Sequence, residues 1–134
     1  ILSEGRQALF GFVNEHDEIA DFWEPVQWQE LGLFDYPEIV KNPMDLTTIK
    51  VRSSVPSLHL QNKFDNKQYT DVFDFAYDMR LMWRNCLTYN QVRFCCVAYA
   101  QDGCYVTDTA KRYQKIFEDR LSRILSQCTC FVWC

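Results

Sequence analysis

A chain of 134 residues with 48% hydrophobic and 16% aromatic side chains has material for one core and one domain. Its net charge of −4 and pI of about 5.1, with Lys and Arg scattered, argue against a phosphate-gripping nucleic-acid surface, and no apolar run approaches the ~20 residues of a membrane span. Four Gly and four Pro disfavour an all-β or loop-rich design, so helices joined by a few loops are expected.

The first predicted helix runs over 3–20, with Ser3 as N-cap and Leu9, Phe12, Val13 and Ile19 or Ala20 on one face. An irregular stretch over 21–68 follows and holds Pro25, Pro37, Pro43 and Pro56. Inside it Asp35 is expected to cap a turn over 36–40, with Pro37 near its start, and Asp45 a second turn through Lys50. Such a long connection often carries function. A second long helix is predicted over 72–89, capped by Asp71 with Asp74 in a capping-box position. Its apolar stripe is Val72, Ala76, Met79, Trp83 and Cys86, which reads Cys86 first as a core residue.

Residues 91–105 break the helical pattern, and Asp102-Gly103 between apolar runs is a hairpin signal. This apolar segment is expected to be an ordered flap. The last helix is predicted from Thr107, as N-cap, through Ala110, Tyr113, Phe117, Leu121 and Ile124. The whole chain, 1–134, reads as one domain with its core over about 3–125 and a Cys-rich tail over 126–134. It opens on Ile1 without a methionine or a signal peptide, as a piece of a longer protein would. Three long helices and a long crossover predict an all-α, antiparallel four-helix bundle.

Seven cysteines, at 86, 95, 96, 104, 128, 130 and 134, show neither a paired framework nor a C-x-x-C metal motif, and His16 and His59 are the only histidines. Free thiols, no metal and no cofactor are the expectation. No glycine-rich phosphate loop and no evident acid–base couple is present, so the chain is expected not to be an enzyme. A thiol-dependent enzyme rests on cysteine count alone.

The most specific words lie in the long connection and the second helix. The first is Asp35-Tyr36-Pro37-Glu38-Ile39-Val40-Lys41-Asn42-Pro43-Met44-Asp45-Leu46. The second is Asp78-Met79-Arg80-Leu81-Met82-Trp83-Arg84-Asn85-Cys86, ending in Tyr89-Asn90. These runs resemble the bromodomain family, and the resemblance extends from Ser3 to about Ile124. It implies a left-handed antiparallel four-helix bundle with a long loop between the first and second long helices. The implied pocket lies between that loop and the loop after the second long helix.

The resemblance also implies the site. Asn90 would donate to an acetyl carbonyl and Tyr36 would reach it through an ordered water. Phe22, Val26, Leu31 and Leu33 would form the apolar wall and shelf. Tyr89 would stand at the rim, Cys86 one helical turn behind the asparagine, and Val106 or Tyr105 at the gatekeeper position. The implied function is an acetyl-lysine reader of histone or other protein tails, acting in chromatin regulation in the nucleus as a monomeric module, without direct contact to nucleic acid or membrane. A degenerate bromodomain serving as a protein-interaction scaffold is the alternative.

Blander readings exist for each residue. Asn90 could sit in a left-handed helix cap, Tyr36 could be a core aromatic, and Phe22 and Val26 could be loop anchors. The chain departs from the family where Ala20-Asp21-Phe22 replaces the common Trp-Pro-Phe shelf, with Trp23 one place later and a candidate to cover the shelf instead. It also carries extra residues over 51–68 and 91–105.

Overall fold

The computed structural model describes residues 17–53, 69, 72–95 and 102–132. Within them the all-α expectation holds: a 3-10 turn over Asp17–Phe22 precedes helices α1 (Tyr36–Ile39), α2 (Leu46–Ser53), α3 (Val72–Cys95) and α4 (Asp102–Val132). Most of the predicted first helix, the Asp71 cap, His16, His59 and the 54–68 insertion lie outside the described residues, as do 96–101 of the predicted flap. The end of that first segment is a 3-10 turn reaching Phe22, two residues beyond the predicted stop.

The two aspartates expected to cap short helices behave differently. Asp45 caps α2 as predicted: its Oδ2 accepts the Thr48 backbone N–H at 2.9 Å and its Oδ1 accepts the Thr48 hydroxyl at 2.7 Å. Leu46 and Ile49 then fall on the buried side, and the helix continues past Lys50 to Ser53. Because Asp45 is itself only 5% exposed, Asp45→Ala is expected to cost about 1–2 kcal/mol of stability in a urea titration. Asp35 occupies the N-cap position of α1 but makes no side-chain capping bond, because its carboxylate is engaged elsewhere.

Three further expectations are corrected. The second long helix does not stop at Tyr89 but runs to Cys95, so Asn90 is a helical residue and not a cap. No non-glycine residue among those described has positive φ, which removes the left-handed cap reading. Asp102 and Gly103 open α4 instead of turning a hairpin, and Thr107 lies inside that helix. The backbone of α4 stays helical to Val132, well into the segment read as a tail.

The core lies between α3 and α4, with α2 and the 3-10 turn closing its sides. Along α4, Thr109, Ala110, Tyr113, Phe117 and Leu121 are buried at helical spacing. On α3 the buried stripe is wider than predicted and takes in Phe75 and Met82 beside Ala76, Met79 and Trp83, because this helix meets α2, α4 and the long loop. Phe22 packs edge-on against Trp83 with ring centroids 5.0 Å apart. A bidentate pair, Arg80 to Glu118 at 2.6 and 2.9 Å, links α3 to α4 at the surface. It pulls the Glu118 carboxyl below its usual value. With side chains 41% and 37% exposed, it contributes at most about 1 kcal/mol.

A buried polar knot complements this core. Asp78 Oδ2 accepts from Arg52 Nη1 at 2.6 Å and from the Tyr69 hydroxyl at 2.7 Å. One carboxylate on α3 thus holds the end of α2 and the chain at Tyr69.

Candidate functional site

The long loop before α2 is held at three points. The Thr47 backbone N–H and hydroxyl both donate to the Trp23 carbonyl, at 2.9 and 2.6 Å. Asn85 Nδ2 on α3 donates to the Asn42 carbonyl at 2.8 Å. The Tyr89 hydroxyl, also on α3, donates to Asp35 Oδ1 at 2.8 Å across 54 residues. Between these ties, Leu33 N–H bonds the Trp28 carbonyl at 2.7 Å and Gly32 N–H the Gln29 carbonyl at 3.3 Å. This is the 6→1 and 5→2 pairing of a Schellman turn, and Gly32 takes the left-handed position at φ 70° that it requires. Beyond the turn, Leu33 packs with Trp28 on a small second core of Tyr36, Val40 and Tyr89.

This loop, α3 and the first turns of α4 enclose a cavity of about 510 Å³. Its deep apolar surface comes from Phe22 and Tyr36, each 7% exposed, with Met44 and Leu33 from the loop and Met82 from α3. Val26 and Leu31 are 37% and 64% exposed and form the lip. Tyr89 closes the loop side, its ring edge-on to Tyr36 at 5.0 Å, and Val106 of α4 faces the opening. Of the two gatekeeper candidates, Val106 lines the cavity, and Tyr105, 54% exposed, does not.

The polar groups of the cavity are few and specific. Asn90 Nδ2 donates to the Cys86 carbonyl at 2.7 Å and lies 3.5 Å from Cys86 Sγ. That carbonyl can only accept, so the atom facing it is the amide nitrogen and the carboxamide orientation is fixed by chemistry. Both bonds of the Asn90 amide nitrogen run back to Cys86, and the Asn90 carbonyl oxygen has no partner among the described residues. Cys86 Sγ contacts the Val106 carbonyl at 3.9 Å, linking the asparagine's helix to the start of α4. Burial, with the nearby Asp21 charge, pushes the Cys86 thiol up to about 11 against a lowering hydrogen bond from Asn90. It is therefore a protonated wall group and a poor nucleophile. Burial also pushes the Tyr36 phenol up to about 12, helped by Cys86 and Tyr89, so it stays a neutral donor.

These shifts predict an alkaline limit. Burial raises Tyr69 as well, chiefly by desolvation and by its bond to Asp78. The folded state holds all three protons more tightly than the unfolded chain, so stability falls as pH rises through the range above 9, where unfolded Cys and Tyr ionise. Denaturant midpoints measured at neutral pH and at about pH 10.5 are expected to differ clearly, with the alkaline value lower. Equal midpoints would contradict the burial of these groups.

All nine sequence-selected site residues line this one cavity: Asn90, Tyr36, Phe22, Val26, Leu31, Leu33, Tyr89, Val106 and Cys86. Trp23 does not cover the shelf. It packs on the main core, with the Lys50 ammonium 5.9 Å from its ring centre, and of the two neighbouring aromatics only Phe22 lines the cavity. Sequence reasoning missed Met82, which lies four and eight positions before Cys86 and Asn90 on the same helix and was findable from that period. It also missed Asp21, Glu24 and Glu30 at the mouth, although the segment 21–30 visibly holds three acids and no base.

A family model for the bromodomain matches residues 7–102. The match covers the long loop, α1, α2 and α3 with the Asn90 anchor, and ends where α4 begins. With the helical architecture and a cavity beneath the loop that Asn90 lines, this chain belongs to the bromodomain family.

Proposed function

We propose that this bromodomain binds acetylated lysine in histone tails and so recruits the protein that carries it to chromatin, in the nucleus, without catalysing a reaction. Bromodomains in general are acetyl-lysine-binding modules. The observation that supports the reading for this chain is the carboxamide of Asn90 on the wall of the cavity among Phe22, Leu33, Met82 and Val106, its amide nitrogen tied only to Cys86 one helical turn back. Acetylation removes the lysine charge and leaves a neutral amide whose carbonyl needs one donor. Leaving that carbonyl unpaired costs about 1–3 kcal/mol, and Asn90 can supply the bond. An unmodified ammonium would shed its water without finding an acidic partner deep in the cavity, at a cost of several kcal/mol. Selectivity therefore rests more on rejecting the charge than on attracting the acetyl group.

Calorimetric titration with matched acetylated and unacetylated histone-tail peptides tests this. A single acetyl-lysine is a small ligand, so binding in the micromolar-to-millimolar range is expected, with no measurable binding of the unmodified peptide. Nanomolar affinity for a singly acetylated peptide would require a contact surface beyond this cavity. Failure of every acetylated peptide to bind the folded domain would leave the scaffold reading in front.

A further inference from the structure

The mouth of the cavity has one sign of charge. Asp21, Glu24 and Glu30 line it, and no Lys, Arg or His does. All three side chains are exposed. None pairs with a described cation. Glu24 only accepts from the Thr47 hydroxyl, at 3.4 Å. The acids alternate along the chain with the apolar groups of the site: Asp21 precedes Phe22 of the shelf, and Glu30 precedes Leu31 of the lip.

A second observation marks this cavity as a ligand site. Tyr36 is 7% exposed and lines it, yet its hydroxyl has no hydrogen-bond partner among the described residues. The hydroxyl is not among the buried unpartnered atoms, so it opens into the cavity and is available to a polar occupant. Whatever side chain enters to meet Tyr36 and Asn90 must pass the acidic rim, and its peptide backbone then lies across it. Successive residues of an extended peptide are about 3.3–3.6 Å apart, so the near neighbours of the inserted residue fall over these carboxylates.

We infer that the rim selects an acetyl-lysine set in a basic stretch, with Lys or Arg within a few positions of it, and disfavours acidic flanks. The inference rests on the acetyl-lysine reading of the cavity. The charges act at different places: the rim attracts cationic neighbours in solvent, while the apolar interior still excludes an ammonium. Exposed pairs each contribute little, so the preference is the sum of several weak contacts and is sensitive to salt.

The test uses peptides with one central acetyl-lysine and flanks rich in Lys/Arg, in Gly/Ser or in Glu, together with the unacetylated form of the basic peptide. Each is titrated into the wild-type chain and into the folded triple variant Asp21→Asn, Glu24→Gln, Glu30→Gln, at low and high salt. In the wild type at low salt the basic peptide is expected to bind about tenfold tighter than the neutral one, and the acidic one weakest. That basic-to-neutral ratio is expected to fall toward one in the triple variant and in high salt. Equal wild-type affinities for all three acetylated peptides would overturn the rim inference while the acetyl-lysine reading stands. Equal binding of the unacetylated basic peptide would overturn it too, because the acids would then be a plain charged patch. If no acetylated peptide binds the wild type, the acetyl-lysine reading fails first and the inference falls with it.

Discussion

Asn90→Ala is expected to lower affinity for an acetyl-lysine peptide by about tenfold to about a hundredfold, while the unfolding midpoint stays where it was or rises slightly. The affinity loss follows from the acetyl carbonyl being left without its donor in an apolar cavity, about 1–3 kcal/mol. The stability side follows from where the residue sits. Asn90 lies within α3, well before its end at Cys95, and its side chain bonds only back to Cys86, at the carbonyl and the sulfur. Backbone bonding in the helix does not depend on that contact, and alanine is the better helix former by a few tenths of a kcal/mol. Peptide titration beside thermal unfolding decides the matter. A large loss of stability would make Asn90 structural, and undiminished affinity in the folded variant would remove it as the anchor.

The largest expected effect on the fold belongs to Asp78→Ala. Removing that carboxylate takes away the ion-pair partner 2.6 Å from the Arg52 guanidinium, whose side chain is 14% exposed, and the acceptor of the buried Tyr69 hydroxyl. Breaking one side of a buried charged pair typically costs 3–5 kcal/mol, and the residual exposure of Arg52 lowers this to about 2–4 kcal/mol. Replacing Arg52, Tyr69 and Asp78 together by apolar residues is expected to cost less than the single change, because the two donors leave together with their shared carboxylate. Urea titrations of both variants measure the difference. A loss under about 1 kcal/mol for Asp78→Ala would show that water, not this carboxylate, satisfies the two donors.

Local chemistry was legible in the sequence where it was not contested by distant partners. Asp45 was readable as a cap because its bonds reach only three residues ahead, to Thr48. Asp35 has the same chemistry before a similar short helix, but Tyr89, far along the chain, claims its carboxylate, and no local pattern announces that. The Asp102-Gly103 step favours a turn in isolation. It yields to a helix because the stripe of Ala110, Tyr113 and Phe117 continues back through Val106 on the same face. The site residues were legible because two motif-bearing segments, the loop and α3, supply eight of the nine, while Val106 came from the family resemblance, which left it open against Tyr105 until the fold brought Val106 to the cavity. The acidic mouth was written in the sequence equally plainly but carried no signal until the fold set Asp21, Glu24 and Glu30 around one opening.

The ties that hold the long loop have a consequence for timing. With Trp23, Asn42 and Asp35 each bonded to α2 or α3, the cavity exists before any ligand arrives. No closing motion need precede capture, so association can proceed at an ordinary rate of about 10⁶ M⁻¹s⁻¹. At an affinity of about 100 μM this fixes departure at about 100 s⁻¹, a dwell time on the order of ten milliseconds. Such a module does not park on its mark. It samples and leaves many times a second, and lasting attachment would come only from a second contact made during one of those visits.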